Sequence, residues 1–208
     1  MKVLGTALLL GLALVSAGCT SPQSTYYKLS SEPIPVMTEA GNKMRLMVGP
    51  VSVPARLDRP QLVIQSGNNE VQVYEYRRWA GSLKGDIARV MGASLARDLG
   101  TPNVWSFSES MQTDFDYQVL IDVQTLESNP DHGVIVDVLW TIKPANMQSK
   151  VAGSNAKFSS GATMQPKVIM GRSLVREATT GPGFDALLAA QSRAFAKVAA
   201  EITPAIRR

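Results

Sequence analysis

Among 208 residues there is one cysteine, Cys19, and one histidine, His132, so the side chains most used for nucleophilic, acid–base or metal chemistry are nearly absent. A single thiol cannot close an internal disulfide, and a structural zinc site needs several thiolate or imidazole ligands. Cys19 is left as a reactive nucleophile, an intermolecular bridge, a site of covalent modification, or a small buried apolar residue. His132 sits in the turn sequence "PDHG", which suits an exposed loop residue better than a general base. Two carboxylate pairs can be drawn, Asp114 with Asp116 and Asp131 with Asp137. Acids two apart on an alternating strand share its solvent face, which accounts for the first pair without catalysis. There is no G-x-S-x-G elbow, and "GPVSVPARLDRP" lacks the G-K-[ST] ending of a phosphate loop. The spaced acids of a calcium loop are missing too. The expectation is a protein that is not an enzyme and has no cofactor or metal. A hydrolase built on Asp114, Asp116 and His132 is the minority alternative.

The residues before Cys19 decide its role. Lys2 gives a positive start, Val3 to Val15 is apolar apart from Gly5, Thr6 and Gly11, and the small residues Ser16, Ala17 and Gly18 follow. That order is the charged, apolar and cleavable part of a secretory signal. The apolar run is shorter than the roughly 20 residues that a membrane-spanning helix needs. A cysteine directly after a small-residue cleavage site resembles the lipobox of bacterial lipoproteins, with Ser16 standing where that pattern most often has Leu. The resemblance implies removal of residues 1–18, a covalent diacylglycerol on the Cys19 thiol and an N-acyl chain, such as palmitate, on the freed amino group. Three chains exceed the two signals that stable anchoring takes, at about 0.8 kcal/mol per buried CH₂. Thr20, in place of an aspartate, points by the same resemblance to the periplasmic face of the outer membrane.

Composition is that of an ordinary folded chain, 45% hydrophobic and 18% charged. The formal net charge of +4 loses one unit with Lys2, and no Lys/Arg run marks a nucleic-acid surface. The organisation expected is a signal peptide over 1–18, a lipidated N-terminus and tether over 19–43, and a single globular domain over 44–208. Within the tether, Tyr26, Tyr27 and Leu29 are too apolar for a free linker, so residues 26–29 are expected to dock on the domain.

The elements follow from periodicity. Arg45 to Val53 reads as a strand bent near Gly49, and "SGNN" joins two alternating runs into a hairpin over Gln61 to Tyr76. Trp79, Leu83, Ile87, Val90, Met91 and Leu95 recur at helical steps, with Ser82 as N-cap and Gly100 and Pro102 as stop. Val104 to Phe107 is a short strand. Phe115 to Val123 and Val134 to Ile142 alternate with period two and pair antiparallel, with one buried face. Residues 144 to 166 read as a long loop, and Val168 to Ala178 as a further strand. Phe184, Leu187, Leu188, Gln191, Phe195, Val198 and Ile202 define a closing helix that Pro204 ends. The fold class expected is α/β of α+β type: one mixed, mainly antiparallel sheet with two amphipathic helices packed on it.

Two arginines before a tryptophan in "YRRWAGSL" could contact a partner or lipid headgroups, as could the loop carrying Arg56, Asp58 and Arg59. The blander reading is that Arg77 and Arg78 cover the edge of the core beside Trp79. Residues 46 to 99 resemble the core signature of the PqiC-type lipoproteins, the auxiliary components of ABC-type transport systems. The matching pieces are the G-P-V-x-V-P strand end, "LDRPQ", "RWA" and the helix after it, with "YYKL" near the N-terminus. Gly81–Ser82 stand where that family usually shows Glu–Pro, and the 144–166 loop is long for it. The resemblance implies an outer-membrane docking component for a periplasm-spanning MCE-domain protein in phospholipid transport, supporting envelope integrity. A homo-oligomeric ring around that partner belongs to the same implication, though no residue here marks it. A lipid-binding carrier, with an acyl-chain cavity between sheet and helices, is the alternative, because periodicity alone cannot tell a filled core from a cavity.

Overall fold

The computed structural model describes residues 22–33, 43–67, 69–107, 114–130, 132–145 and 167–207. Cys19 and the signal before it, residues 34–42 of the tether, Asp131 and residues 146–166 of the long loop lie outside the described residues. In chain order the elements are β1 (Thr25–Tyr27), β2 (Leu46–Ser52), a 3-10 turn (Ala55–Leu57), β3 (Gln61–Gln65), β4 (Val71–Trp79), α1 (Leu83–Leu99), β5 (Val104–Ser106), β6 (Tyr117–Asn129), β7 (Gly133–Pro144), β8 (Ile169–Glu177) and α2 (Gly183–Ile206). The fold is α+β.

The described strands form two sheets instead of the one expected, ordered β1-β4-β3 and β5-β2-β6-β7-β8. In the larger sheet β2 runs parallel to both β5 and β6, while β6–β7 and β7–β8 are antiparallel. The β3–β4 hairpin stays out of it for a local reason. Leu62 faces Tyr74, yet the preceding Gln61 pairs with Arg78, so Glu75 to Arg77 form a bulge that bends β4. Leu62 and Ile64 then turn their apolar face onto the core while β4 takes β1 as its other neighbour.

One face of the larger sheet carries the core. Val119, Ile121 and Val123 of β6 stand opposite Ile142, Trp140 and Val138 of β7 on that face. The register then slips at Gln124, so that Leu126 and Ser128, not Thr125, continue the buried row. Beside Trp140 the next strand has Gly171, where a methyl group would collide with the indole ring. That close approach lets Trp140 lie flat and donate its Nε1–H to Ser173 Oγ at 3.1 Å.

Both helices pack on this face and on each other. Ser82 caps α1 by accepting the Gly85 N–H, and Gly100 closes it in the left-handed region at φ 67°. Trp79 is not part of α1: it ends β4, 7% exposed, four residues before Leu83, so it falls on the helical period only by spacing. Pro204 does not end α2 either. It lies exposed in the last turn, where losing one N–H disturbs little, and the helix runs on to Ile206.

Candidate functional site

The N-terminal strap and the surface that receives it form the most elaborate polar arrangement among the described residues. Residues 25–27 of β1 pair in parallel with Arg77, Arg78 and Trp79 of β4. The two stretches "YYK" and "RRWA", about fifty residues apart in sequence, are therefore neighbours, and Tyr27 O accepts the Ala80 N–H at 2.7 Å. Beyond β1 the chain crosses the helices. Leu29 is fully buried, which contributes roughly 1.5–3 kcal/mol.

Burying Leu29 also buries its peptide groups, and α1 supplies their partners. Asp86 Oδ2 accepts the Leu29 N–H at 2.9 Å, while Arg89 Nη2 donates to the Leu29 carbonyl. The same guanidinium nitrogen bonds Asp86 Oδ1 at 2.7 Å, so the pair sits one turn apart as a unit. Arg89 Nη1 reaches Ser31 Oγ at 3.3 Å. From α2, Ser192 Oγ accepts the Ser30 N–H at 3.0 Å while donating to the Leu188 carbonyl at 2.8 Å. Glu32 then lies 3.1 Å from Arg97 at the far end of α1. Charge-assisted bonds of this kind are stronger than neutral ones.

A second clasp holds the start of the strap. Arg77 Nη1 donates to Tyr27 Oη at 2.9 Å, and the guanidinium Cζ lies 4.6 Å from the Phe184 ring centroid. Phe184 at the head of α2 also meets Tyr74 edge-on at 4.9 Å and Tyr27 at 5.8 Å. These contacts tie β1, β4 and α2 together, each worth about a kilocalorie per mole.

The residues singled out in the sequence are thus largely spoken for. Arg77 is engaged in the clasp and Trp79 belongs to the core, so Trp79 offers no ring to a partner. Arg78 faces outward and pairs with Glu75 at 3.9 Å. Asp58 accepts from Lys84 Nζ at 2.8 Å, and Pro60 O accepts the Trp79 N–H at 2.7 Å, so "LDRP" fastens its loop to α1 and β4. Arg56 and Arg59 of that loop are exposed, leaving them as its outward charges.

Of the carboxylate pairs, Asp114 and Asp116 are both engaged by Arg45, while Asp131 of the second lies outside the described residues. Asp114 and Asp116 precede β6 and do not sit on it. Asp116 takes the Arg45 N–H at 2.8 Å and Nη2 at 3.0 Å, and that guanidinium holds its carboxyl below the usual range. Asp137 is held low in the same way by Arg172, whose Nε lies 2.8 Å away. His132 is exposed in its turn and its backbone N–H goes to Asn129 Oδ1. No group of three or more His, Cys, Asp or Glu side chains is placed to hold a metal among the described residues. Among the described residues, two surface clefts measure about 210 and 300 Å³, the first beside Arg89 and Trp105, the second beside Tyr26 and Asp185. Asp86, Arg89 and Ser192 were missed in the sequence because an acid and a base three apart on a helix read as an ordinary surface pair.

Two crystal structures share this fold. One, of an uncharacterised protein, superposes with a TM-score of 0.62 at 18% identity, covering 89% of this chain and 99% of that one. The other, a Xanthomonas campestris protein of family DUF330, gives 0.61 at 16% identity, covering 86% and 93%. Among curated proteins, none matches. The family model described as "ABC-type transport auxiliary lipoprotein component" matches residues 27–203, from the strap to the last turn of α2. The chain belongs to that family of auxiliary lipoproteins of ABC-type transport.

Proposed function

We propose that this chain is lipidated at Cys19, anchored at the periplasmic face of the outer membrane, and serves there as the docking component for an MCE-domain partner in phospholipid transport between membranes. The observation that carries the reading is the strap: the chain becomes part of the fold at Thr25, six residues after Cys19. Six residues reach at most ~20 Å at about 3.3 Å each. An anchor at Cys19 therefore holds the body close to the bilayer, as a docking component requires. Family membership supports the transport role, and the carboxylates' engagement in ion pairs supports a role without catalysis.

The carrier reading has less in its favour. Ligand pockets run to about 300–1,000 Å³ and are mostly apolar. The clefts here lie at or below that range, and Arg89, Glu32, Lys28 and Asp185 are among their linings.

The test is a cross-linking pull-down from envelope membranes, with wild type compared against Cys19→Ser and the captured material identified by mass spectrometry. Docking predicts an MCE-domain protein recovered with wild type from outer-membrane fractions, and loss of outer-membrane fractionation in Cys19→Ser. Recovery of phospholipid with no protein partner would count for the carrier instead.

A further inference from the structure

Tyr26 is 62% exposed, Tyr76 49%, Val71 42% and Val73 41%, and all four lie in the β1-β4-β3 sheet. Pairing puts them on its outer face. Leu62 and Ile64 point to the core, so Val73 and Val71, opposite the alternate residues Val63 and Gln65, lie on the other face, where Val63 is half-buried. Gln61 lies on that same face; its partner Arg78 does too, and Arg78 is paired in turn with Tyr26. Tyr27, opposite the buried Trp79, faces inward. Tyr76 precedes the inward-turned Arg77 within the bulge. The result is a face that exposes two tyrosines and two valines, bordered by Gln61, Gln65, Glu75 and Arg78.

We propose that this outer face, which exposes Tyr26, Val71, Val73 and Tyr76, rests on the phospholipid surface in which Cys19 is anchored. The inference deepens the anchoring reading above and rests on it. Three features fit that occupant. The chain leaves the fold from this same sheet: Tyr26 is on the strand that the anchor feeds, and only Thr20 to Ser24 separate Thr25 from Cys19. The chemistry is interfacial, since tyrosine rings settle at headgroup level with the body apolar and the hydroxyl wet. Finally, the Arg78 charge on this face is paired with Glu75, so the face itself offers mainly apolar area. The patch alone is too small to hold a protein on a membrane. With the anchor planted, binding becomes intramolecular at an effective concentration on the order of millimolar, and a weak patch suffices.

The larger sheet supplies the contrast. Its outer face also exposes Leu139, Met170 and Leu174, but Arg172 stands opposite Leu139 and Asp137 opposite Leu174, and no chain end leaves from it.

The experiment uses the full chain, produced in a bacterial host and reconstituted into phosphatidylethanolamine–phosphatidylglycerol vesicles. Val73→Cys, Tyr76→Cys and Met170→Cys are each labelled with a thiol-reactive environment-sensitive fluorophore, and nitroxide-bearing lipids act as quencher. Cys19 is the chain's one native cysteine, so once it is acylated the introduced thiol is the one that reacts. The expected result is quenching several-fold stronger at positions 73 and 76 than at 170, unchanged by added salt. Equal quenching at the three positions, or stronger quenching at 170, overturns the inference while an unlabelled parent chain leaves the anchor standing. A parent chain that takes up label at Cys19 overturns the anchoring and this contact with it.

Discussion

The Leu29 N–H is bonded by Asp86 Oδ2 at 2.9 Å across a sequence gap of 57 residues, in the same place where the Leu29 side chain disappears into the core. A helix surface here does what a neighbouring strand would do, satisfying both main-chain groups of a buried residue. Removing the acceptor leaves that N–H without a partner and frees Arg89 from its own. Asp86→Ala is expected to cost about 1–3 kcal/mol, the price of an unsatisfied buried donor. Hydrogen exchange would show protection lost over residues 25–31 and retained in β6 and β7. Uniform loss across the chain would mean that the strap is not a separately releasable unit.

Leu29→Ala probes the apolar half of the same contact. The side chain is fully buried between elements distant in sequence, so deletion should cost about 2–5 kcal/mol by urea denaturation. Limited proteolysis should then cut first within residues 22–33. If cleavage begins elsewhere, the strap is held mainly by the Asp86–Arg89 pair and by β1.

How much of this could be read in advance depends on the range of the signal. The alternation of β6 and β7 was legible because a strand with one buried face writes period two into its own residues. The slip at Gln124 was not, since it is defined only by the partner strand. Trp79 was misplaced because its spacing to Leu83 suits a helix equally well, and only pairing with Tyr27 puts it in β4. β1 has three residues and no pattern of its own. Its existence is decided by Arg77 to Trp79, far along the chain, so the split into two sheets was out of reach as well. The arginines could be named as surface charges, but whether each faces solvent or a ring, as Arg77 faces Phe184, is a tertiary fact.

Gly171 and Trp140 make a complementary pair in which size, not backbone freedom, fixes the glycine. Gly171→Ala should displace the indole and stretch its bond to Ser173, with overpacking costing about 1–3 kcal/mol. The checks are the denaturation midpoint and the near-ultraviolet circular dichroism of the tryptophans. An unchanged spectrum with lost stability would place the strain in the backbone of β8 instead.

Glu177 sets the expected response to acid. Its carboxylate, 12% exposed at the end of β8, accepts from Arg193 Nε at 2.7 Å and from Lys197 on the next turn of α2. Those two hydrogen bonds hold its pKa below the ordinary 4.5. A carboxylate with a depressed folded-state pKa contributes stability that is complete above its unfolded value and lost as pH falls through the folded one. Asp137 and Asp116 act with the same sign, though the solvent-exposed Arg172 and Arg45 weaken their share. Stability of the wild type should therefore be flat near neutrality and drop as pH falls below that ordinary value of 4.5. Glu177→Gln should be less stable at neutral pH and decline less steeply, so that the two curves converge in acid. Urea midpoints measured in steps from pH 7 downward decide it. Parallel curves would mean that the tie between β8 and α2 does not depend on the charge of Glu177.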